Sequence, residues 1–144
     1  MQFSSRLTIA IHTMLCIENF KNEYKTTSTF LAGSVNVNPV IIRNILQKLK
    51  SAGLVTVEAG VGGASLAKDP KDITMLDVFE AVETEEDLFH FHENPNPECP
   101  IGKNVHALLD DKLASVKLAM ENSMRSVTLQ SLLDQMYATE KDKP

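Results

Sequence analysis

The sequence contains no tryptophan, and aromatic residues make up only 6% of it. Stacking platforms for single-stranded nucleic acid are therefore not expected. Two cysteines, Cys16 and Cys99, are too few for a disulfide framework or a four-cysteine zinc site. Their scarcity fits a reducing, cytoplasmic compartment. No stretch approaches the ~20 apolar residues of a membrane span. The apolar run 7–17 contains His12 and two threonines, has only Arg6 ahead of it and no small-residue cleavage site behind it, and so does not read as a signal peptide. Repeats and low-complexity tracts are absent from the sequence. No glycine loop stands between a strand and a helix to cradle a phosphate, and no Ser/His/Asp arrangement can be singled out. An enzyme is not expected.

What is present is an ordinary globular composition, 43% hydrophobic and 23% charged over 144 residues, enough for one domain with an appendage. The net charge of −5 conceals an asymmetry. Residues 1–68 carry seven Lys/Arg against three acids, a net +4, whereas residues 69–144 carry seven against sixteen, a net −9. A polyanion-binding half joined to an acidic half with another task is implied.

The spacing of apolar residues predicts six helices and a hairpin. Ser5 can cap a helix to about Phe20, with Leu7, Ala10, Ile11, Met14 and Leu15 on one face, and Cys16 reads as a buried small hydrophobe within it. The cluster Thr26, Thr27, Ser28 offers caps for a short second helix through Val35. Asn36-Val37-Asn38 makes a turn, and Asn38 before Pro39 starts a third helix, with Ile42, Ile45, Leu46 and Leu49 on one face and Gly53 past its end. Two extended runs around Gly60, Gly62 and Gly63 form a β-hairpin. Thr74 caps a fourth helix to about Val82, and 83–100 reads as an acidic, irregular loop. A long helix spans 101–124, and a last helix runs from about Thr128 to Tyr137. The long helix carries the seam Val105, Leu109, Leu113, Val116 and Met120, widened by Leu108, Leu118 and Ala119.

Two short helices joined by a tight turn, then a glycine hairpin, describe a winged helix-turn-helix. Leu31, Val35, Val37, Ile42 and Ile45 supply its apolar packing and Ala32 its close contact. Asn38, Val40, Arg43, Asn44 and Gln47 then face base edges, since Arg pairs with guanine and Asn or Gln with adenine through two hydrogen bonds each. Lys48, Lys50 and the start of the second helix at Thr26, Thr27 and Ser28 suit phosphates. The competing reading is a winged-helix protein-interaction module without operator binding, whose acidic half docks a basic partner.

Leu46-Gln-Lys-Leu-Lys-Ser-Ala-Gly-Leu-Val55, followed by Gly60-Val-Gly-Gly-Ala-Ser-Leu-Ala67, resembles the Rrf-two family of bacterial winged-helix transcription regulators. Ile73-Thr-Met-Leu-Asp-Val-Phe-Glu-Ala-Val82 and Val127-Thr-Leu-Gln-Ser-Leu-Leu133 extend the likeness over nearly the whole chain. The resemblance implies a mainly α fold with a small β-hairpin: a winged helix-turn-helix domain over 1–68, a connecting helix and sensor loop over 69–100, a long dimerisation helix over 101–124, and a C-terminal helix and tail over 125–144. It also implies a homodimer on a pseudo-palindromic operator in double-stranded DNA, usually acting as a repressor.

Three positions depart from the family pattern. Ala59 stands where an Arg usually precedes the wing glycine, and Ala64 where a Tyr commonly follows the double glycine. The wing then offers Gly62, Gly63 and Ser65 to phosphates rather than a side chain to the minor groove. Cluster-binding members place three cysteines before the long helix, but here only Cys99 is present, with His90, His92 and His106 nearby. An iron–sulphur cluster takes four mostly thiolate ligands, so no cofactor is expected, and the histidines read as solvated loop residues rather than a metal site. Cys99, just before a helix N-terminus, reads either as a thiol tucked against the helix start or as a one-cysteine redox switch.

Overall fold

The computed structural model describes residues 5–59, 62–83 and 91–141. Its element order is α1 (Arg6–Phe20), α2 (Ser28–Val35), α3 (Pro39–Ser51), β1 (Val55–Glu58), β2 (Gly63–Leu66), α4 (Met75–Val82), α5 (Pro100–Arg125) and α6 (Leu129–Lys141), with a short 3-10 turn, Pro70–Asp72, before α4. The chain is mainly helical, with one two-stranded antiparallel hairpin pairing Val55 with Leu66 and Glu58 with Gly63. This is a winged helix-turn-helix architecture with a long added helix. Gly60, Val61 and His90 lie outside the described residues.

One core serves α1–α4, the hairpin and the start of α6. Ala10, Met14 and Ile17 of α1 meet Leu31 and Ala32 of α2, Ile42, Ile45, Leu46 and Leu49 of α3, Val55 of β1, Val78 and Val82 of α4, and Leu129 of α6. Each row follows the helical period, so burying it fixes the helix's rotation about its axis. Cys16 lies in this core at 6% exposure. Its thiol also donates to Ser34 Oγ at 3.2 Å, and His12 Nε2 lies 3.0 Å from the same oxygen.

Local chemistry sets most of the boundaries. Asn36 adopts the left-handed conformation (φ +64°) that ends α2, its N–H donating to the Ala32 carbonyl at 2.8 Å. Gly53 (φ +77°) ends α3, with Leu54 N–H donating to the Leu49 carbonyl. Thr74 and Asp77 form a reciprocal capping box at the head of α4. Met75 N–H then bonds Val127 O and Leu129 N–H bonds Ile73 O, tying the starts of α4 and α6 together.

Two expectations are corrected. Ser5 does not cap α1 through its side chain, because its backbone (φ −79°, ψ 1°) is already close to helical; its carbonyl instead accepts from the Thr8 hydroxyl. The last helix runs on to Lys141 rather than ending near Tyr137. Adding a turn to a nucleated helix costs little, and Thr139 Oγ1 donates back to the Gln135 carbonyl within it.

Candidate nucleic-acid interface

The two helices of the reading unit are capped by their own side chains. Thr27 Oγ1 accepts from Phe30 N–H at 3.2 Å, and Asn38 Oδ1 accepts from Val40 N–H at 2.9 Å, with Pro39 in the first turn of α3. The Asn38 oxygen is thus committed to the cap, and its amino group remains as a donor. With Ile42, Ile45, Leu46 and Leu49 buried, the opposite side of α3 presents Val40, Arg43, Asn44 and Gln47 to solvent. Val40 is 48% exposed, an apolar group among polar ones on an open helix face. Together these side chains form a surface that can make bidentate hydrogen bonds and a methyl contact along one groove.

The predicted phosphate-facing residues divide. Thr27 and Ser28 are half-buried at the start of α2, and Lys50 is exposed. Lys48 is half-buried and directs its ammonium to the Val82 carbonyl, 3.5 Å away at the end of α4. Thr26 is corrected: it is buried at 4% exposure, and its hydroxyl donates to the Ala64 carbonyl at 2.6 Å while its own carbonyl accepts from Ala64 N–H at 3.0 Å. Its side chain is a staple between the wing and α2, with no free hydroxyl for a phosphate. The staple also gives Gly63 (φ +83°) a reason: a Cβ there would stand 3.0 Å from the Thr26 nitrogen. Ser65 faces solvent and Gly62 packs on Glu58, so the wing carries a carboxylate beside its glycines.

Residues 91–99 lead into the head of α5. Cys99 is half-buried at the N-cap position, and the amide N–H groups of Gly102 and then Ile101 pull its thiol below the ordinary cysteine value. A side chain at Gly102 would meet the Asn96 carbonyl at 2.5 Å, so the loop lies directly on the first helical turn. His106 stacks near Phe91 with ring centroids 4.3 Å apart, and its Nε2 lies 3.3 Å from the His92 carbonyl. Among the described residues, no three His, Cys, Asp or Glu side chains converge as a metal site would require. Cys16 sits in α1 and Cys99 at α5, so this donor set does not fit an iron–sulphur cluster.

The remainder of α5 is unlike any other helix here. None of its 26 residues is buried. Val105, Leu113 and Met120 are half-buried, whereas Leu109 is 41% and Val116 52% exposed. Leu108 and Leu118 stand 59% and 56% exposed beside that seam.

Sequence reading missed two features. Arg6 pairs with Glu83 at 3.1 Å across 77 residues, which no local pattern could signal. Phe20, Tyr24 and Phe30 form an aromatic trio beside the start of α2, with Tyr24 stacked 5.3 Å from Phe30. The polar break at 21–25 hid the tyrosine's partnership.

A capped helix pair with an outward polar crest, followed by a stapled hairpin, defines a winged-helix regulator. The family model described as "Rrf2: Iron-dependent Transcriptional regulator" matches residues 3–135, and the chain belongs to this Rrf2 family of transcriptional regulators. It is 46% identical, over 93% of its length and 98% of the relative's, to the protein of Bacillus subtilis (strain 168) named "Putative HTH-type transcriptional regulator YwnA". Among solved structures it is similar to a crystal structure of a "putative DNA binding protein", at 43% identity and TM-score 0.73, covering 90% of this chain and 99% of that one. The fold of IscR from T. potens also matches, at 21% identity and TM-score 0.71, over 100% of this chain and 93% of that one. No helix among the described residues is long and apolar enough to cross a membrane.

Proposed function

We propose that this chain is a dimeric, cytoplasmic repressor that binds a pseudo-palindromic operator in double-stranded DNA. The observation that carries the reading is the crest of α3, whose inner row is wholly buried while Val40, Arg43, Asn44 and Gln47 stand exposed behind the Asn38–Pro39 cap. Arg43 reads a guanine edge, Asn44 and Gln47 adenine edges, and Val40 a thymine methyl. The Asn38 amino group faces a base edge, while Lys50, Lys48 released from Val82, and the backbone at Thr27 and Ser28 hold phosphates. Gly62, Gly63 and Ser65 bring the wing against the backbone without entering the minor groove, since Ala59 offers no cation there.

Dimerisation is supported by α5, whose seam Val105, Leu109, Leu113, Val116 and Met120 finds no full cover among the described residues. A second copy of the same helix would bury it, and two reading heads related by a two-fold axis require a two-fold operator. The signal is not read through an iron–sulphur cluster. A second reading concerns Cys99, whose thiolate is favoured by the amides at the helix start: a peroxide-type oxidant would take two electrons from it to give a sulfenic acid and release water.

The test is to incubate reduced protein with sheared genomic DNA from its source and sequence what it retains. A two-fold-symmetric motif near promoters is expected, with affinity falling as salt rises by about 0.9 log units per phosphate contact per log unit of salt. Absence of enrichment at low salt from folded, dimeric protein overturns the operator reading in favour of a protein-interaction module.

A further inference from the structure

An open cleft of about 990 Å³ lies between the first turn of α1, one flank of α3 and the last turn of α4. Ile41, Ile45 and Ala81 give it an apolar lining, and Arg6, Asn44, Gln47, Lys48, Lys50 and Ser51 its polar one. The cleft overlaps the reading crest at Asn44 and Gln47 and extends from there onto the neighbouring flank of α3. At about 100° per residue, Val40, Arg43 and Gln47 fall on one side of the exposed arc of α3 and Ile41 and Lys48 on the other, with Asn44 between. Among the described residues, the charged side chains that line the cleft are cations. Arg6 is paired with Glu83 at 3.1 Å, Lys48 reaches the Val82 carbonyl at 3.5 Å, and Lys50 adds a third cation at the lining.

A duplex that engages Asn44, Gln47, Lys48 and Lys50 fills only the polar part of this place. Its phosphates would satisfy the cations, but it has no group to lay on Ile41, Ile45 and Ala81. A size in the range of small-molecule sites, an apolar lining and a few convergent donors describe a ligand with an apolar body and one anionic end. We propose that this cleft binds a small organic carboxylic acid that acts as an effector of DNA binding. The carboxylate accepts from the Lys48 ammonium and the Asn44 carboxamide, and the body covers Ile41, Ile45 and Ala81. Occupancy withdraws Asn44 from base edges and neutralises Lys48, so ligand and operator oppose each other, and by linkage each weakens the other by the same factor. The effect on DNA rests on the operator reading above, whereas the site itself does not.

The probe is 1-naphthoate, a carboxylate on an apolar fluorescent body, which the absence of tryptophan lets one follow with little protein background. Saturable binding of one naphthoate per chain is expected, with methyl NMR shifts at Ile41, Ile45 and Ala81. Ala81→Leu, which fills the floor, should weaken it by roughly tenfold and leave affinity for the retained genomic fragments unchanged. Naphthoate at saturation should weaken those fragments' binding by about fivefold or more, and excess fragment should weaken naphthoate equally. If Ala81→Leu fails to fold by circular dichroism, Ile41→Asp at an exposed position tests the same loss through charge repulsion. No saturable binding, shifts confined to Leu108 and Leu118 of α5, or undiminished binding by a folded variant overturns the site. Naphthoate binding in the cleft by a protein that retains no DNA upholds the site and overturns the operator reading separately.

Discussion

Helices α3 and α5 both carry a row of aliphatic residues at helical spacing, but they use it differently. In α3 the row Ile42, Ile45, Leu46 and Leu49 is at most 5% exposed, and the helix's rotation is fixed by its own chain. In α5 no residue is buried over 26 positions, and Val116 in the middle of the seam is 52% exposed. The core around α3 is therefore completed within the chain, with Val78, Val82 and Leu129 of the acidic half joining it, whereas α5 presents an apolar face still to be covered. A periodic row says that a helix face will be buried, and leaves open by what.

Substitutions can break this contrast. The largest effect is expected at Leu49, fully buried in α3, where Leu49→Ala should cost about 2–5 kcal/mol in chemical denaturation at any protein concentration. Val116→Ala on α5 should cost under about 0.5 kcal/mol in dilute protein, where an exposed side chain loses few contacts, and more as concentration rises and a partner covers it. Equal losses at all concentrations for both would mean that α5 is not completed by association. Arg43→Ala should leave stability unchanged yet weaken the operator by about 1–3 kcal/mol and relax one base position, as read by competition binding. An equal loss on random DNA would reduce Arg43 to a phosphate contact.

Thr26→Val removes the bond to the Ala64 carbonyl while keeping shape, and should lower stability by about 1–2 kcal/mol. Thr27→Val, by contrast, takes away a helix cap and should cost about 1 kcal/mol. The smallest effect concerns Cys99. Its folded thiol titrates below the ordinary cysteine value, so the folded state releases the proton more readily, and its iodoacetamide rate should reach half-maximum at lower pH than a cysteine in unfolded chain. Urea should erase the difference. By linkage this group favours the folded state above the unfolded pKa, and that contribution fades as pH falls through the folded value.

The helices, the turn and the hairpin were legible because each is decided by near neighbours. Asn36 takes the left-handed turn, Asn38 and Pro39 start α3, and Gly53 stops it. The crest of α3 followed at once, since a buried row of four fixes what stands opposite. Thr26 was misjudged for the converse reason. A Thr/Ser cluster ahead of a helix offers three capping candidates, and the hairpin, 38 residues on, decides which one is consumed. Lys48 is a similar case, a lysine on a polar arc whose carbonyl partner lies 34 residues away.

The sequence by itself determined where α2, α3 and α4 begin, which face of α3 is inner, and that the basic and acidic charges are separated, because spacing, caps and composition act over a few residues. Only the tertiary structure decided that Thr26 staples the wing to α2, that Arg6 meets Glu83, and that α1, α3 and α4 leave a cationic cleft with an apolar floor. Those contacts join residues tens of positions apart. Their energy exists only once packing of the common core has already paid the entropy of bringing them together.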